Sequence, residues 1–223
     1  MSGKAILRRI LLPFRNSQGT RPEPECDALT YNSVGHVDAK NEDVTHWLGS
    51  RDSDKKFIDA IYADFVQLCR VDTARTVADY GCGTGVLVDN LKRDFPSLTV
   101  SGFDFSEKKV LQCREYYRFD PPCFFHGSVY DEASTTYDVV VATEVLEHLE
   151  QPKAAVRSLV KRLAPGGRLF LTVPDGRKDS FAGHIHFWSP ESWQLFLSEA
   201  VTAPLIFQAG ILHDRNFALI GSP

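Results

Sequence analysis

Apolar positions along this chain recur with two periods, and the period switches repeatedly between Thr76 and Ala200. Thr76 to Tyr80 is a short run of β-branched and apolar residues, as in a buried strand. After Gly85 the apolar residues Val86, Leu87 and Leu91 recur at helical spacing with charged residues between them. The same reasoning predicts strands at 98–104, 122–127, 137–143 and 168–174, and helices at 85–94, 106–118 and 151–164. Asp54 to Cys69 reads as a helix with Phe57, Ile58, Ile61, Tyr62, Phe65 and Val66 on one side. Ser189-Pro190 starts a last helix through Ala200, because serine caps a helix and proline suits its first position. Residues 205–208 and 216–220 are the final strands. Alternation of this kind predicts an α/β fold, a parallel sheet with helices on both faces.

The junction at 77–85, Val-Ala-Asp-Tyr-Gly-Cys-Gly-Thr-Gly, carries the most chemical information. Three glycines in five residues between a strand and a helix let a ligand approach bare backbone. Asp104 closes the next strand nineteen residues after Gly85, where an acid that holds a ribose belongs in a dinucleotide-type unit. Together the two signals indicate a nucleoside cofactor. A nicotinamide fingerprint would read G-x-G-x-x-G, whose third glycine lets the helix pack closely while a pyrophosphate sits on its N-terminus. Here the order is G-x-G-x-G, Val86 stands where that third glycine would fall, and Asp79 precedes the loop.

This stretch resembles motif I of the class I S-adenosylmethionine-dependent methyltransferases, (D/E)-x-G-x-G-x-G. The likeness is close over residues 75–175 and looser beyond, with Gly127 to Asp131, Tyr137 to Leu149 and Leu163 to Leu169 following in the family's order. It implies a Rossmann-like three-layer α/β/α sandwich around a seven-stranded, mostly parallel sheet whose last strand is antiparallel. It also implies S-adenosyl-L-methionine as cofactor. On that likeness Tyr80, Gly81, Cys82, Gly83 and Gly85 form the cofactor loop, and Asp79 serves the methionine ammonium, directly or through water. Asp104 accepts the ribose hydroxyls, with Phe105 and Ser106 beside the adenine. Ser128 and Val129 flank the base, and Thr143 and Glu144 border the methyl donor. The block Glu144-Val-Leu-Glu-His-Leu149 narrows the resemblance toward the group that includes ubiquinone-biosynthesis O-methyltransferases and many small-molecule and sugar methyltransferases.

Amino-methylating relatives carry an Asn/Asp-Pro-Pro-aromatic block after the fourth strand. Asp120-Pro-Pro-Cys123 only imitates it, since it precedes the third strand and ends in cysteine. A hydroxyl acceptor is therefore expected, with His148 as general base. Glu144, Glu147 and His148 stand at i, i+3 and i+4, so a helical turn would put them on one face. His184 and His186, in the loop between the fifth strand and the last helix, are further catalytic candidates. The same carboxylates and imidazoles could hold a divalent metal, as some relatives do, or merely tie loops together at the sheet edge. No metal is expected.

Net charge is −4, from 25 Lys and Arg against 29 Asp and Glu, so a nucleic-acid partner is not expected. Five cysteines without a CxxC pair read as free thiols in a reducing compartment, which places the protein in the cytoplasm. No apolar run approaches the ~20 residues of a bilayer span. Residues 1–22 carry Lys4, Arg8, Arg9, Arg15 and Arg21 and no acid. That composition suits a transit peptide, a helix resting on an anionic membrane surface, or a solvated arm. Residues 1–50 are thus expected to be a basic arm and lid segment, and 51–223 the methyltransferase domain, with Tyr31, Trp47 and the helix from Asp54 covering the cofactor. The acceptor is a small molecule or glycan, selected by residues before 60 and from 175 to 190. The rival readings are a catalytically silent cofactor-binding subunit and a nicotinamide oxidoreductase, the latter disfavoured by Val86 and by the lack of a Tyr-x-x-x-Lys pair.

Overall fold

The computed structural model describes residues 44–221. The basic arm of residues 1–22 and Tyr31 lie outside that range. Seven strands form one sheet: β1 (Thr76–Tyr80), β2 (Thr99–Asp104), β3 (Phe124–His126), β4 (Tyr137–Thr143), β5 (Leu163–Pro174), β6 (Ile206–Leu212) and β7 (Arg215–Gly221). Their order is β3-β2-β1-β4-β5-β7-β6. The strands from β3 to β5 run parallel, and β7 inserts antiparallel between β5 and β6. This is the α/β architecture that the resemblance implied.

Because successive side chains on a strand face opposite ways, each strand feeds two separate cores. Val77, Val100, Val139, Val141 and Phe170 pack under α1 (Val44–Cys69), α2 (Val86–Asp94) and α3 (Glu107–Tyr117). Ala78, Val140, Ala142, Leu169 and Leu171 pack under α4 (Pro152–Val160) and α5 (Pro190–Ala200). Helix starts follow the expected chemistry. Ser106 Oγ accepts the Lys109 amide at 3.2 Å to open α3, and Ser189 Oγ accepts the Ser192 amide at 3.2 Å to open α5 behind Pro190.

Helix α1 begins at Val44, ten residues before the expected Asp54, and runs unbroken through residue 50. Gly49 and Ser50 argue against a helix locally, but tertiary packing overrides them. Trp47 is buried against Tyr116, with ring centroids 5.0 Å apart. β5 starts at Leu163 rather than 168, because Tyr137 pairs with Leu163 ahead of an irregularity that absorbs Pro165 to Gly167.

No helix joins β3 to β4. On the α4 side, the sheet face over β2 and β3 therefore borders a cavity of about 390 Å³ lined by Ser101, Phe103, Phe125 and Tyr137. Tyr80 and Arg162 close one wall of it. Arg162 is buried, yet its guanidinium donates only to neutral oxygens. Nε reaches Tyr80 Oη at 2.7 Å, one terminal nitrogen reaches the Ser158 carbonyl at 2.8 Å, and the other reaches the Asp131 carbonyl at 2.6 Å. Those bonds tie the end of α4 to β1 and to the β3–β4 link. Replacing Arg162 with methionine strands these acceptors away from water and should lower unfolding free energy by about 3 kcal/mol in a denaturant titration. A loss below about 1 kcal/mol would show that the link is held by other means.

Candidate active site

The strand order reverses between β1 and β4, and the loops leaving these two strands bound a crevice where open α/β sheets bind ligands. The β1 loop makes three left-handed turns, with φ of 78° at Gly81, 53° at Gly83 and 77° at Gly85. The three glycines serve different needs. A Cβ on Gly81 would strike Val145 in the loop after β4, and one on Gly85 would come within 2.8 Å of the Phe124 ring. Gly83 meets only Asp54 Oδ2, 3.4 Å from where a Cβ would stand, and the Gly81 carbonyl, so its backbone is the part open to a ligand.

Three carboxylates surround this loop. Asp104 Oδ2 accepts the Gly83 amide at 2.9 Å and its Oδ1 accepts the Ser106 amide at 3.0 Å, which ties the ends of β1 and β2 together. Asp54, on α1, accepts the Thr84 hydroxyl at 2.5 Å. Asp79 is 2% exposed and its Oδ1 has no hydrogen-bond partner. Burial, with Asp104 and Asp54 adding repulsion, pushes Asp79 up to about 8. A buried carboxyl lacking a partner and facing two acids beside an open glycine backbone fits a group that brings a cation, as the ammonium of S-adenosylmethionine would.

Other cofactor candidates divide by the face of the sheet they reach. Tyr80, adjacent to Asp79, must point the opposite way, and it stacks on Phe103 at 4.7 Å with its hydroxyl bound to Arg162. Its side chain therefore lies on the α4 side of the sheet, and its backbone leads into the loop. Val129 is buried in the α4-side core, and Cys82 in the other. Ser128 donates its amide to Asp131 at 2.7 Å. The Phe105 carbonyl meets His126 Nε2 at 3.0 Å, which ties the turns after β2 and β3 together.

After β4 the chain forms a short 3-10 turn at Leu146–His148 in place of the helical turn that would align Glu144, Glu147 and His148. Glu144 adopts φ 54° and swings away from the other two. Its carboxylate accepts Thr172 Oγ1 at 3.0 Å and Arg215 Nε at 2.9 Å, and Arg215 also lies over the Phe57 ring at 5.4 Å. Thr143 ends β4 opposite Thr172.

Glu147, His148 and His184 do converge, with one donor atom of each inside 4.8 Å of the others. His148 Nδ1 lies 3.1 Å from the Gly183 carbonyl, so Nδ1 carries the proton and Nε2 keeps a lone pair. Burial and the neighbouring His184 push His148 down to about 4. His184 Nδ1 meets Asp179 Oδ2 at 2.5 Å, which leaves its Nε2 3.9 Å from Glu147 Oε1. Glu147 is fully buried, neither carboxyl oxygen has a partner, and burial followed by Glu144 raises it well above the usual range. His186 stays outside this group: Nε2 meets the Leu149 carbonyl at 2.9 Å and the ring stacks on Trp188 at 5.0 Å. Its placement is that of a loop fastener. Phe181 and Phe187 flank His184, with centroids 4.9 and 6.2 Å away, and both are exposed.

Sequence reasoning missed Asp54, Thr172 and Arg215. The helix from Asp54 was expected over the cofactor, but Asp54 itself was not singled out, and the other two meet Glu144 only through the β5–β7 pairing. The chemistry of the crevice is thus a cation-seeking carboxyl under a glycine loop, with two imidazoles and a second orphaned carboxyl across from it.

Comparison with known proteins places the chain in a family. A family model described as a methyltransferase domain matches residues 52–201. The ubiquinone biosynthesis O-methyltransferase of Schizosaccharomyces pombe, mitochondrial, is 35% identical over 107 residues, 45% of this chain and 38% of that protein. The protein of the same name from Idiomarina loihiensis is 29% identical over 52% of each chain. This chain therefore spans about half or less of those relatives' length. Among solved structures, the N-methyltransferase NodS from Bradyrhizobium japonicum WM9, in complex with S-adenosylhomocysteine, superposes with a TM-score of 0.61 at 21% identity, covering 86% of this chain and 99% of that one. An O-methyltransferase family protein from Burkholderia thailandensis gives 0.66 at 16% identity, over 86% and 63%. The chain belongs to the methyltransferase-domain family, and its fold is that of the class I enzymes that use S-adenosylmethionine.

Proposed function

We propose that this protein transfers a methyl group from S-adenosylmethionine to a hydroxyl oxygen of a small molecule or glycan, with His148 as the proton acceptor. The carrying observation is the neutral His148 ring, whose Nδ1 is committed to the Gly183 carbonyl and whose Nε2 lone pair is free beside His184 and Glu147. When bound, S-adenosylmethionine supplies a methyl on a sulfonium. The protein's own residues hold the acceptor oxygen in line with that methyl, exclude water and take up the hydroxyl proton. Asp79 and Asp104 would seat the methionine and ribose ends, with Phe105, Ser106, Ser128 and Val129 around the base and Thr143 beside the methyl. Glu144 supports the crevice through Arg215 and Thr172. The exposed rings of Phe181 and Phe187 offer a wall on which a flat apolar molecule or a sugar face can stack. Relatives named for O-methylation support oxygen as the acceptor atom.

A second reading has its own support. One ring nitrogen from each of His148 and His184 and an orphaned buried carboxyl form a donor set for a divalent cation, and the Asp179–His184 bond is the outer-shell contact that such ligands usually have. There Glu147, His148 and His184 would hold the ion, which would supply Lewis acidity toward the acceptor oxygen.

Residues before 51 serve, in this proposal, as arm and lid to the domain that follows. Among the described residues no helix is long and apolar enough to cross a membrane, and the four described cysteines are free and buried. We propose the cytoplasm as the compartment, although two of the relatives are named mitochondrial.

The tests are direct. Labelled methyl transfer to a panel of phenols, catechols and sugars should be detected with the wild type, and His148→Ala should lower kcat about 10²- to 10⁴-fold while S-adenosylhomocysteine affinity stays within about twofold. An unchanged kcat would remove His148 from the chemistry. No transfer to any acceptor, with cofactor binding intact, would favour a silent binding subunit. Dialysis against a chelator separates the two readings of the cluster. If His148 acts alone, activity survives; if a cation is held, activity falls at least about tenfold and returns on adding magnesium or zinc.

A further inference from the structure

The two edges of the sheet are treated differently. β3, at one edge, has only three residues, and the Arg114 guanidinium donates to the Phe124 carbonyl there at 2.8 Å. A short strand capped by a charged side chain is a common way to block further pairing. β6, at the other edge, has seven residues, Ile-Phe-Gln-Ala-Gly-Ile-Leu, and pairs only with β7. From Val201 to Leu212 the chain carries no charged residue, and Pro204 lies before the strand, where it interrupts nothing. Among the described residues, no side chain bonds to the β6 backbone and no strand lies beyond it. Ile206 and Ile211 are 57% and 47% exposed, and Leu195 on the neighbouring helix α5 is exposed as well. Among the described residues, none of the usual protections of an edge strand is present.

We infer that β6 is the interface through which a second copy of this chain docks, the two β6 strands pairing antiparallel about a twofold axis. The strand's own pattern selects this occupant. Antiparallel pairing of a strand with itself is closed and self-complementary, so one sequence must suit both sides. Centred on Ala209, the pairing sets Phe207 opposite the second copy's Ile211 on one face of the sheet. On the other face it sets Ile206 opposite Leu212, and Gln208 opposite Gly210. Every apolar side chain meets an apolar one and no like charges meet. Phe207 and Ala209 already pack on the α4-side core and Leu212 on the α1-side core, so each molecule's two cores would continue across the junction. Seven residues extend only about 24 Å at ~3.4 Å each, so the interface is at the small end and the dimer is in micromolar exchange with monomer. The crevice of the active site opens from β1 and β4, three places or more from this edge, so dimerisation leaves it free.

Sedimentation velocity of the full chain across the micromolar range tests this. The wild type should shift from monomer to dimer with concentration, and Ile211→Lys should return the average mass about twofold lower at the top of the range. Gln208→Lys, a change on an exposed position that keeps the fold, should do the same by setting two ammonium groups near each other across the axis. S-adenosylhomocysteine binding reports that each variant is folded. A wild type that stays monomeric, as it would if residues 1–43 of its own chain covered the edge, overturns the inference. So does a dimer that persists unchanged in folded Gln208→Lys.

Discussion

Asp79 is the point on which the rest of the site depends. It lies at the end of β1, 2% exposed, with one oxygen unpartnered and two more carboxylates nearby. A charge in that position is costly unless a cation joins it, so the free protein keeps the group protonated. The surrounding structure makes this tolerable without relieving it. Asp104 spends its oxygens on the amides of Gly83 and Ser106, and Asp54 on Thr84. Asp79 alone among the three has a buried oxygen with no hydrogen-bond partner. The loop above it depends on Gly81 and Gly85, whose missing side chains admit Val145 from the loop after β4 and the Phe124 ring from β3.

What could be read from the sequence follows from how local each feature is. Glycines at 81, 83 and 85 and the acid at 104 act through the backbone of a strand–turn–helix unit, and such units have one geometry. The alternating pattern implied a parallel sheet, and the strand order that sets the switch point comes from the structure. Tyr80 was within reach too: a residue next to Asp79 on a strand cannot share its face. Glu144 was not. Its φ of 54° and its turn toward Arg215 depend on β7 lying beside β5, seventy-one residues away in sequence. His184 and His186 could not be told apart, because their loop has no repeating geometry. The difference lies in Asp179, which draws His184 toward the cluster, and Trp188, which stacks His186 away from it.

The two halves of the crevice are built on opposite electrostatic plans. On the β1 side acids gather around glycines, ready for a cationic group. On the β4 side His148 stays unprotonated beside the carboxyl of Glu147, which burial keeps neutral. Arg215 bridges the halves, since it holds Glu144 after β4 and covers Phe57 on α1, the helix that also supplies Asp54. Helix α1 is therefore joined to both, and motion of its first turns would be felt at the glycine loop and at Glu144 together.

The central claim is that a ligand's ammonium replaces a proton on Asp79. Calorimetric titration with S-adenosylhomocysteine in two buffers of different ionisation enthalpy measures it directly. With Asp79 near 8 in the free protein, the group is protonated at pH 7 and becomes a carboxylate on binding, so close to one proton should be released. Affinity should then rise about tenfold per pH unit from pH 6 toward 8 and level off above, and Asp79→Asn should abolish the release. Tight binding with no proton released, and with the same affinity at pH 6 and 8, would contradict this account of the site.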